Sequence, residues 1–243
     1  MNAVITAGAR VDGEFAARIG TRVKALARAG GGTLLEKCIA AARSAGVTRL
    51  AVVGGGEVRA ACARDADAFI EESESGAENL SRALHAWPLD EPLLYLTSDL
   101  PFLTAAALRD FIAAAPPSAL ALPVTDCAAF ERRFPGAPPF GIAIGGERVV
   151  NGGAFWIPPD SAAKIEAAAR RFFDARKSVA RMALLLGPAL CARFIFGRLT
   201  IAAIETQAQR RLGITARAVR GAPPELAYDI DTLAEYEYAT QPS

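Results

Sequence analysis

An aspartate in the middle of the chain lies where a ligand site is expected. Asp99 belongs to the segment 97–104, TSDLPFLT, which follows the apolar run 93–96. Such a run predicts a buried strand, and ligands of open α/β sheets bind at the carboxyl ends of strands. A carboxylate there is a suitable oxygen ligand for Mg²⁺. The alternative is a capping or turn aspartate, but Thr104 already suits the cap of the next helix.

Two more carboxylates lie one residue apart near the end of the chain. Asp229 and Asp231 belong to the segment 228–232, YDIDT. Alternate residues of an extended chain point to the same side, so the two carboxylates could converge on one cation. The alternative is that Asp231 or Thr232 only caps the last helix, and the pair taken alone favours that alternative.

The loop after the first apolar strand combines small and basic residues. A turn of small residues exposes backbone N–H groups to an anion, and basic side chains neutralise phosphate charge. The loop lacks the glycine and lysine spacing of a Walker sequence, so a solvated loop stays an equal alternative. The residues concerned are Thr6, Ala7, Gly8, Arg10, Arg18 and Lys24.

The elements that must position these residues form an alternating pattern in the first half of the chain. Continuous apolar strands between helices predict an α/β fold, a mostly parallel twisted sheet with helices on both faces. Thr33 and Glu36 form a capping box that predicts the start of a helix. The predicted strands are 3–6, 50–53, 68–70, 93–96 and 119–124, and the predicted helices are 34–45, 57–64, 79–87 and 105–115.

The second half is less regular and predicts a helical insertion over residues 163–212. Helices are expected at 160–176, 200–212 and 232–239, a hairpin turn at Gly145-Gly146 and a late strand at 214–219. The apolar segment 182–192 is too short to span a membrane and predicts a buried or lid-forming helical segment. No linker separates two domains, so we expect one domain over 1–243.

Composition excludes several classes of protein. Apolar residues make up 52% of the chain, charged residues make up 22%, and the net charge is +1. A disordered chain and a nucleic-acid-binding protein are therefore disfavoured. With one histidine and four scattered cysteines, a zinc site and a disulfide framework are not expected. The cysteines are expected in the core, and the chain, which opens without an export signal, is expected in the cytoplasm.

Together the three segments resemble the MobA-like nucleotidyltransferases, and the resemblance covers nearly the whole chain. The opening of that family is similar to residues 5–8 followed by 24–26, its mid-chain aspartate segment to 98–104, and its late D-[IV]-D-T to 229–232. Residues 75–80 fall where the family contacts the nucleoside, and 151–155 resemble its acceptor-site strand. Ala9 replaces a family glycine and extra residues precede Arg18, which leaves open which arginine contacts the triphosphate.

The resemblance implies a Rossmann-like nucleotidyltransferase that uses Mg²⁺, with Mn²⁺ also possible. It would transfer a nucleoside monophosphate from a nucleoside triphosphate to a phosphorylated small molecule and release pyrophosphate. Residues 1–125 would bind the nucleotide and residues 126–243 the acceptor. The implied roles are catalysis by Lys24, Asp99 and Asp231, metal binding by Asp99, Asp229 and Asp231, nucleotide binding by Thr6, Ala7, Gly8, Arg10, Arg18, Lys24, Gly76, Asn79 and Ser98, and acceptor binding by Asn151, Gly152 and Gly153.

Other interpretations stay open. Arg176 and Lys177 form a basic pair in an apolar insertion, which suggests a grip on the acceptor phosphate, although a solvated helix face is the simpler interpretation. A glycosyltransferase that uses a nucleotide-sugar would have a D-x-D motif, but Asp229 and Asp231 come too late in the chain for it. A nucleotide-binding module without turnover is the non-enzymatic alternative. The chain could be a monomer or a homodimer.

Overall fold

The computed structural model describes residues 1–88, 90–176 and 178–241. Short 3-10 turns occur at Lys24–Leu26 and Pro224–Leu226. The strands are β1 (Asn2–Thr6), β2 (Arg28–Ala29), β3 (Gly32–Thr33), β4 (Arg49–Gly54), β5 (Ala68–Glu71), β6 (Leu93–Thr97), β7 (Leu120–Asp126), β8 (Ile142–Ile144), β9 (Glu147–Asn151), β10 (Ala154–Ile157) and β11 (Ala216–Arg220). The helices are α1 (Gly13–Ile19), α2 (Leu34–Ser44), α3 (Gly56–Cys62), α4 (Gly76–Leu84), α5 (Ala105–Ala114), α6 (Cys127–Arg133), α7 (Ala162–Arg176), α8 (Val179–Leu186), α9 (Pro188–Ile195), α10 (Ile201–Leu212) and α11 (Leu233–Ala239).

A nine-stranded sheet forms the centre of the fold. Its order is β5-β4-β1-β6-β10-β7-β9-β8, and β11 pairs with β7. Only β9 and β10 run against the other strands of this sheet in the described part of the chain. Thr6 at the end of β1 lies beside Thr97 at the end of β6, so the loops that follow these strands share one edge. The predicted mostly parallel α/β sheet is confirmed.

Helices cover both faces of this sheet, as the apolar strands predict. Ala3 and Ile5 of β1 belong to the core under α2 and α5, whereas Val4 packs with residues of α4 and α7 on the opposite face. The alternation follows from the two-residue repeat of a strand, which points successive side chains to opposite faces. Every residue from Ala3 to Ile5 is fully buried, which explains the absence of polar residues there.

Side-chain caps account for the helix starts that were predicted correctly. Thr33 and Glu36 form the capping box of α2, and the Thr104 hydroxyl accepts a hydrogen bond from the Ala107 amide. The predicted start of α4 at residue 79 is wrong, because Ser75 caps the helix and Gly76 begins it. Helices α1 and α6 were not predicted. Neither begins at a side-chain cap.

The helical insertion is present as α7 to α10, and the apolar segment within it, expected to be buried or lid-forming, is only partly buried. Gly187 and Pro188 divide it into α8 and α9, and Leu184 is 76% exposed. Cys191 on α9 is half-buried, so the expected core position is confirmed only for Cys38, Cys62 and Cys127. Among the helices that the structure describes, none is long and apolar enough to cross a membrane.

Two glycines between β9 and β10 allow a close approach of neighbouring chain segments. A Cβ atom on Gly152 would lie 2.3 Å from the Leu226 carbonyl oxygen, and one on Gly153 would lie 2.2 Å from Thr97 Oγ1. The Gly153 amide donates to that same Leu226 carbonyl over 2.9 Å. Because backbone cannot move aside as a side-chain end can, Gly152 is the more constrained position.

We expect Gly152→Ala to lower the free energy of unfolding by about 2 kcal/mol, the cost of overpacking a filled interior. Gly56→Ala is the matched control, because a Cβ there meets nothing within 4 Å and should leave stability unchanged or slightly raised. Urea unfolding of both variants measures the difference. Equal stability of the Gly152→Ala and Gly56→Ala variants would show that the backbone at Leu226 moves aside at little energetic cost.

Candidate active site

A cleft opens at the carboxyl edge of the parallel strands. Its volume is about 680 Å³, and it lies beside the ends of β1, β5 and β6. In open α/β sheets this edge is the usual ligand site, and the volume is in the range of small-molecule pockets. Among the residues predicted from the sequence, those that line the cleft are Thr6, Gly8, Arg10, Gly76, Asn79, Ser98 and Asp99.

Lys24 lies between two of the predicted carboxylates at this edge. Its Nζ atom is 2.6 Å from Asp99 Oδ2 and 2.7 Å from Asp231 Oδ1. The Lys24 side chain is 7% exposed and that of Asp99 14% exposed, whereas that of Asp231 is 68% exposed. The bridge therefore joins a buried carboxylate to one that faces solvent. The three segments that the sequence singled out meet at this ammonium group.

The backbone around Lys24 brings it to the first strand. The Lys24 amide donates to the Ala9 carbonyl over 3.0 Å, and Arg10 forms an isolated antiparallel bridge with Val23. The intervening residues fold into α1 and return, so the basic loop closes on itself. Lys24 then begins a 3-10 turn whose residues reach the core under α2. Closure of this loop places Lys24 beside the small residues after β1.

An aromatic cluster positions the late carboxylates. Tyr228 is fully buried, its ring lies 4.9 Å from that of Phe102 and 5.7 Å from that of Phe130, and its hydroxyl donates to the Glu235 carbonyl. The Ile230 amide donates to the Asp99 carbonyl over 3.1 Å. Asp229 and Asp231 flank Ile230, so the backbone bond fixes both next to Asp99. The cap of α11 is the Thr232 hydroxyl, which leaves Asp231 free of that role.

Burial and the neighbouring charges shift the pKa values of Asp229 and Lys24. Burial, followed by repulsion from Asp99 and Asp231, raises the pKa of Asp229 to about 7. Burial alone would lower the pKa of Lys24, but attraction to Asp99 and Asp231 outweighs it and raises the pKa above its ordinary value. Lys24 is therefore charged at neutral pH, while Asp229 is near the midpoint of its titration. The site holds more negative charge than one ammonium group can balance.

The donor atoms at this edge fit a hard divalent cation that is completed by phosphate oxygens. Asp99 Oδ1 is buried and has no hydrogen-bond partner, so it is available as a ligand. Across the described residues, no three His, Cys, Asp or Glu side chains are arranged to hold an ion by themselves. Mg²⁺ is commonly held by one or two carboxylates together with substrate phosphates and water, which matches this arrangement.

Arg10 is the basic side chain that borders the cleft from the small-residue loop. Its guanidinium donates to the Gly8 carbonyl over 2.8 Å and to Glu72 Oε1 over 2.5 Å. A Cβ atom on Gly8 would lie 1.9 Å from Glu72 Oε2, so the Glu72 carboxylate rests directly against this glycine. An internal carboxylate thus lies on the turn at which the sequence predicts a bound anion.

Other predicted site residues lie away from the cleft lining. Arg18 lies on α1, is mostly exposed and is 3.8 Å from Glu237, and Ala7 is fully buried beneath the loop. Asn151 lines a separate apolar cavity of about 200 Å³ beside α10. Lys177 lies outside the described residues, as does the side chain of Arg176.

The structure adds residues to the cleft that the sequence did not single out. Glu72 and Ser73 follow β5, and Phe173 of α7 reaches the cleft, where a Cβ on Gly76 would lie 2.6 Å from its ring. Asn79 lines the cleft, but its amide is engaged with the Ser73 backbone, accepting over 2.6 Å and donating over 2.9 Å. The polar run 71–76 after a strand was the available sequence signal for Glu72.

We expect Lys24→Ala to lower the free energy of unfolding by about 3 kcal/mol, because it leaves the Asp99 carboxylate largely buried and unpaired. The double variant Lys24→Ala/Asp99→Asn should recover part of the loss, since the buried charge is removed as well. Lys164→Ala on the exposed face of α7 is the control. Urea unfolding checks this, and a single variant as stable as the wild type would contradict it.

Comparisons with known proteins agree with this geometry. The model of the MobA-like NTP transferase domain matches residues 3–212. A hypothetical transferase from Thermus thermophilus is 28% identical, with a TM-score of 0.85 and coverage of 98% of this chain and 100% of the other. None of the curated proteins compared with this chain matches its sequence.

Two less similar structures share the fold. The 2-C-methyl-D-erythritol 4-phosphate cytidylyltransferase of Thermus thermophilus has a TM-score of 0.56, 19% identity and coverage of 98% and 96% of the two chains. Rv0371c of Mycobacterium tuberculosis, in a complex with manganese, has a TM-score of 0.52, 17% identity and coverage of 98% and 96%. The domain match covers most of the chain, includes Lys24 and Asp99, and ends before Asp229 and Asp231. The chain therefore belongs to the MobA-like NTP transferase family and is a nucleotidyltransferase.

Proposed function

We propose that this chain transfers a nucleoside monophosphate from a nucleoside triphosphate to a phosphorylated small molecule, with Mg²⁺ as the metal and pyrophosphate as the second product. The observation that carries the proposal is the position of Lys24 between Asp231 and Asp99, the one of the three that lines the cleft. Two anions must meet in this reaction, so a site that combines a fixed ammonium with a place for a divalent cation suits it.

The nucleotide would occupy the cleft with its phosphates over the loop after β1. Backbone N–H groups near Gly8 and the Arg10 guanidinium are suitable phosphate ligands. The nucleoside would lie toward the loop before α4, where Gly76 and Phe173 line the cleft. An aromatic ring at that position can pack against a base of any identity, so base choice does not follow from Phe173.

The transfer would proceed by attack of an acceptor phosphate oxygen on the α-phosphorus. A new P–O bond forms as the bond to the β-phosphate oxygen breaks, and pyrophosphate leaves with the electron pair. A phosphate oxygen is already anionic near neutral pH, so no side chain has to remove a proton. The Lys24 ammonium, held at a raised pKa, would stabilise the charge on the phosphates.

The metal would be held by Asp99 and Asp231, with Asp229 as a third candidate ligand. When bound, Mg²⁺ or Mn²⁺ would neutralise phosphate oxygens and make the phosphorus more electrophilic. The buried, unpartnered Asp99 Oδ1 supports this assignment, as does the manganese complex of a protein with the same fold. The partly exposed Asp231 can exchange its bond to Lys24 for other ligands at low cost.

The acceptor would bind on the side of the sheet formed by residues 126–243, near Gly152 and Gly153. The 4-phosphate acceptor named for the cytidylyltransferase of similar fold supports a phosphorylated small molecule. Gly153 lies against Thr97, two residues before Asp99, which brings this segment to the reacting edge. Asn151, Arg176 and Lys177 stay candidates for acceptor binding, and a cytoplasmic location stays a prediction.

The proposal is tested with each of the four nucleoside triphosphates, Mg²⁺ and a panel of sugar and polyol phosphates. We expect one triphosphate to raise Tm in the presence of Mg²⁺, and pyrophosphate to be released when a suitable phosphate is added. Asp99→Asn should lower pyrophosphate release by about 100-fold or more. Asp110→Asn, an exposed aspartate on α5, is the matched control and should retain activity.

The outcomes separate the alternatives. Release of a nucleoside diphosphate from a nucleotide-sugar would indicate a glycosyltransferase. A nucleotide-induced rise in Tm without any product would indicate a binding module. Full activity of Asp99→Asn would reject the assigned role of this carboxylate.

We expect Glu72→Gln to strengthen nucleoside triphosphate binding by about fivefold, because it removes a carboxylate that holds Arg10 and repels phosphate. Isothermal titration with the triphosphate that raises Tm measures the change. Glu74→Gln removes an equal charge from the same loop and controls for general electrostatics. In an Arg10→Ala background the gain from Glu72→Gln should shrink. An equal gain with and without Arg10 would contradict competition for its guanidinium.

A further inference from the structure

The helical insertion carries a charge unlike that of the rest of the chain. Residues 162–212 include ten lysines and arginines and three acidic residues, a net charge of +7, while the whole chain has +1. Between Asp174 and Glu205 there are five basic residues and no acidic one. The remainder of the chain is therefore net negative. Such an asymmetry indicates a surface that meets a polyanion or an anionic interface.

The most exposed apolar side chains of the described chain lie in the same insertion. We call residues 193–198, with the sequence RFIFGR, the insertion tip. Phe194 is 67% exposed, Ile195 76% and Phe196 74%. Single exposed apolar residues are ordinary, but three in succession at the end of a helix form a patch that indicates an interaction site.

The insertion tip is an ordered turn with an arginine at each end. The Arg198 amide donates to the Arg193 carbonyl over 2.7 Å, and the Gly197 amide donates to the Phe194 carbonyl over 3.1 Å. With Gly197 at a φ of +64°, these bonds form a Schellman turn that ends α9. The turn brings the two ends of the tip together and holds Phe194, Ile195 and Phe196 outside the core.

We propose that the insertion tip binds the surface of a lipid bilayer that contains anionic lipids. Phe, Leu and Ile side chains on a basic helical segment insert at the boundary between headgroups and acyl chains, while Arg and Lys contact lipid phosphates. Each basic residue near an anionic bilayer strengthens binding about fivefold. Arg193 and Arg198 flank the apolar residues, and Leu184 adds an exposed apolar side chain on the neighbouring helix.

Charge favours this occupant over a second copy of the chain. A twofold interface centred on the insertion tip would place each tip against an identical one and bring Arg193 and Arg198 close to the same residues of the partner. Like charges across an interface oppose association, whereas lipid phosphates complement them. A bilayer surface also accommodates the three apolar side chains without a shaped pocket. The inference does not depend on the chemistry at the cleft.

The test is co-sedimentation of the full chain with vesicles of equal parts phosphatidylglycerol and phosphatidylcholine, and with vesicles of phosphatidylcholine alone. We expect binding to the anionic vesicles that weakens as NaCl is raised. Phe194→Ser/Ile195→Ser/Phe196→Ser should weaken it roughly tenfold or more. Arg193→Gln/Arg198→Gln should weaken it and reduce its dependence on NaCl.

Ile142→Ser is the matched control, because Ile142 is a 58% exposed apolar residue on β8, outside the insertion. It should bind vesicles as the wild type does, and all variants should keep the wild-type Tm. Equal binding to both vesicle types, or full binding by the triple variant, would overturn the proposal. A dimer in sedimentation velocity that the triple variant abolishes would assign the tip to self-association instead. Capture of single-stranded DNA in preference to vesicles would also overturn it.

Discussion

One ammonium group connects the parts of the chain that the proposed chemistry requires. Lys24, Asp99 and Asp231 come from the amino-terminal loop, the end of a central strand and the last connection of the chain. The ion pair of Lys24 with Asp99 is largely buried, whereas its ion pair with Asp231 is exposed to solvent. A buried carboxylate without this lysine would be strongly unfavourable, so the fold and the site depend on the same contact.

Apolar packing brings the distant carboxylates to the lysine. Tyr228 lies inside a cluster of aromatic rings, and the backbone bond from Ile230 to the Asp99 carbonyl continues the same segment to the sheet edge. The hydrophobic contacts and the hydrogen bond offset the electrostatic cost of crowding Asp229 between two other acids. Burial, and after it the repulsion from Asp99 and Asp231, raises the pKa of Asp229. The site therefore stores unfavourable charge that a bound cation would relieve.

Local signals predicted the sheet and many helix boundaries, because apolar strands and Thr caps act within a few residues. The approach of Asp99 to Asp231 followed only from combining three motifs through the resemblance, since no local rule relates positions so far apart. Phe173 was missed for the same reason, because its place in the cleft depends on how α7 packs. Glu72 lies in a polar run after β5, but nothing local distinguishes it from its acidic neighbours Glu71 and Glu74. The exposure of Leu184 was also unpredictable, because composition does not distinguish a buried helix from one with an unpartnered face.

The paired state of the basic residues constrains how a nucleotide can enter. Lys24 is held by Asp99 and Asp231, and Arg10 is held by Glu72, so neither cation is unpaired in the free chain. A triphosphate that arrived alone would have to displace carboxylates and would add its own negative charge to theirs. A triphosphate that arrived together with a divalent cation would bring positive charge to the same carboxylates that its phosphates repel. Electrostatics at this edge thus couples nucleotide binding to metal binding, whichever base the nucleotide carries.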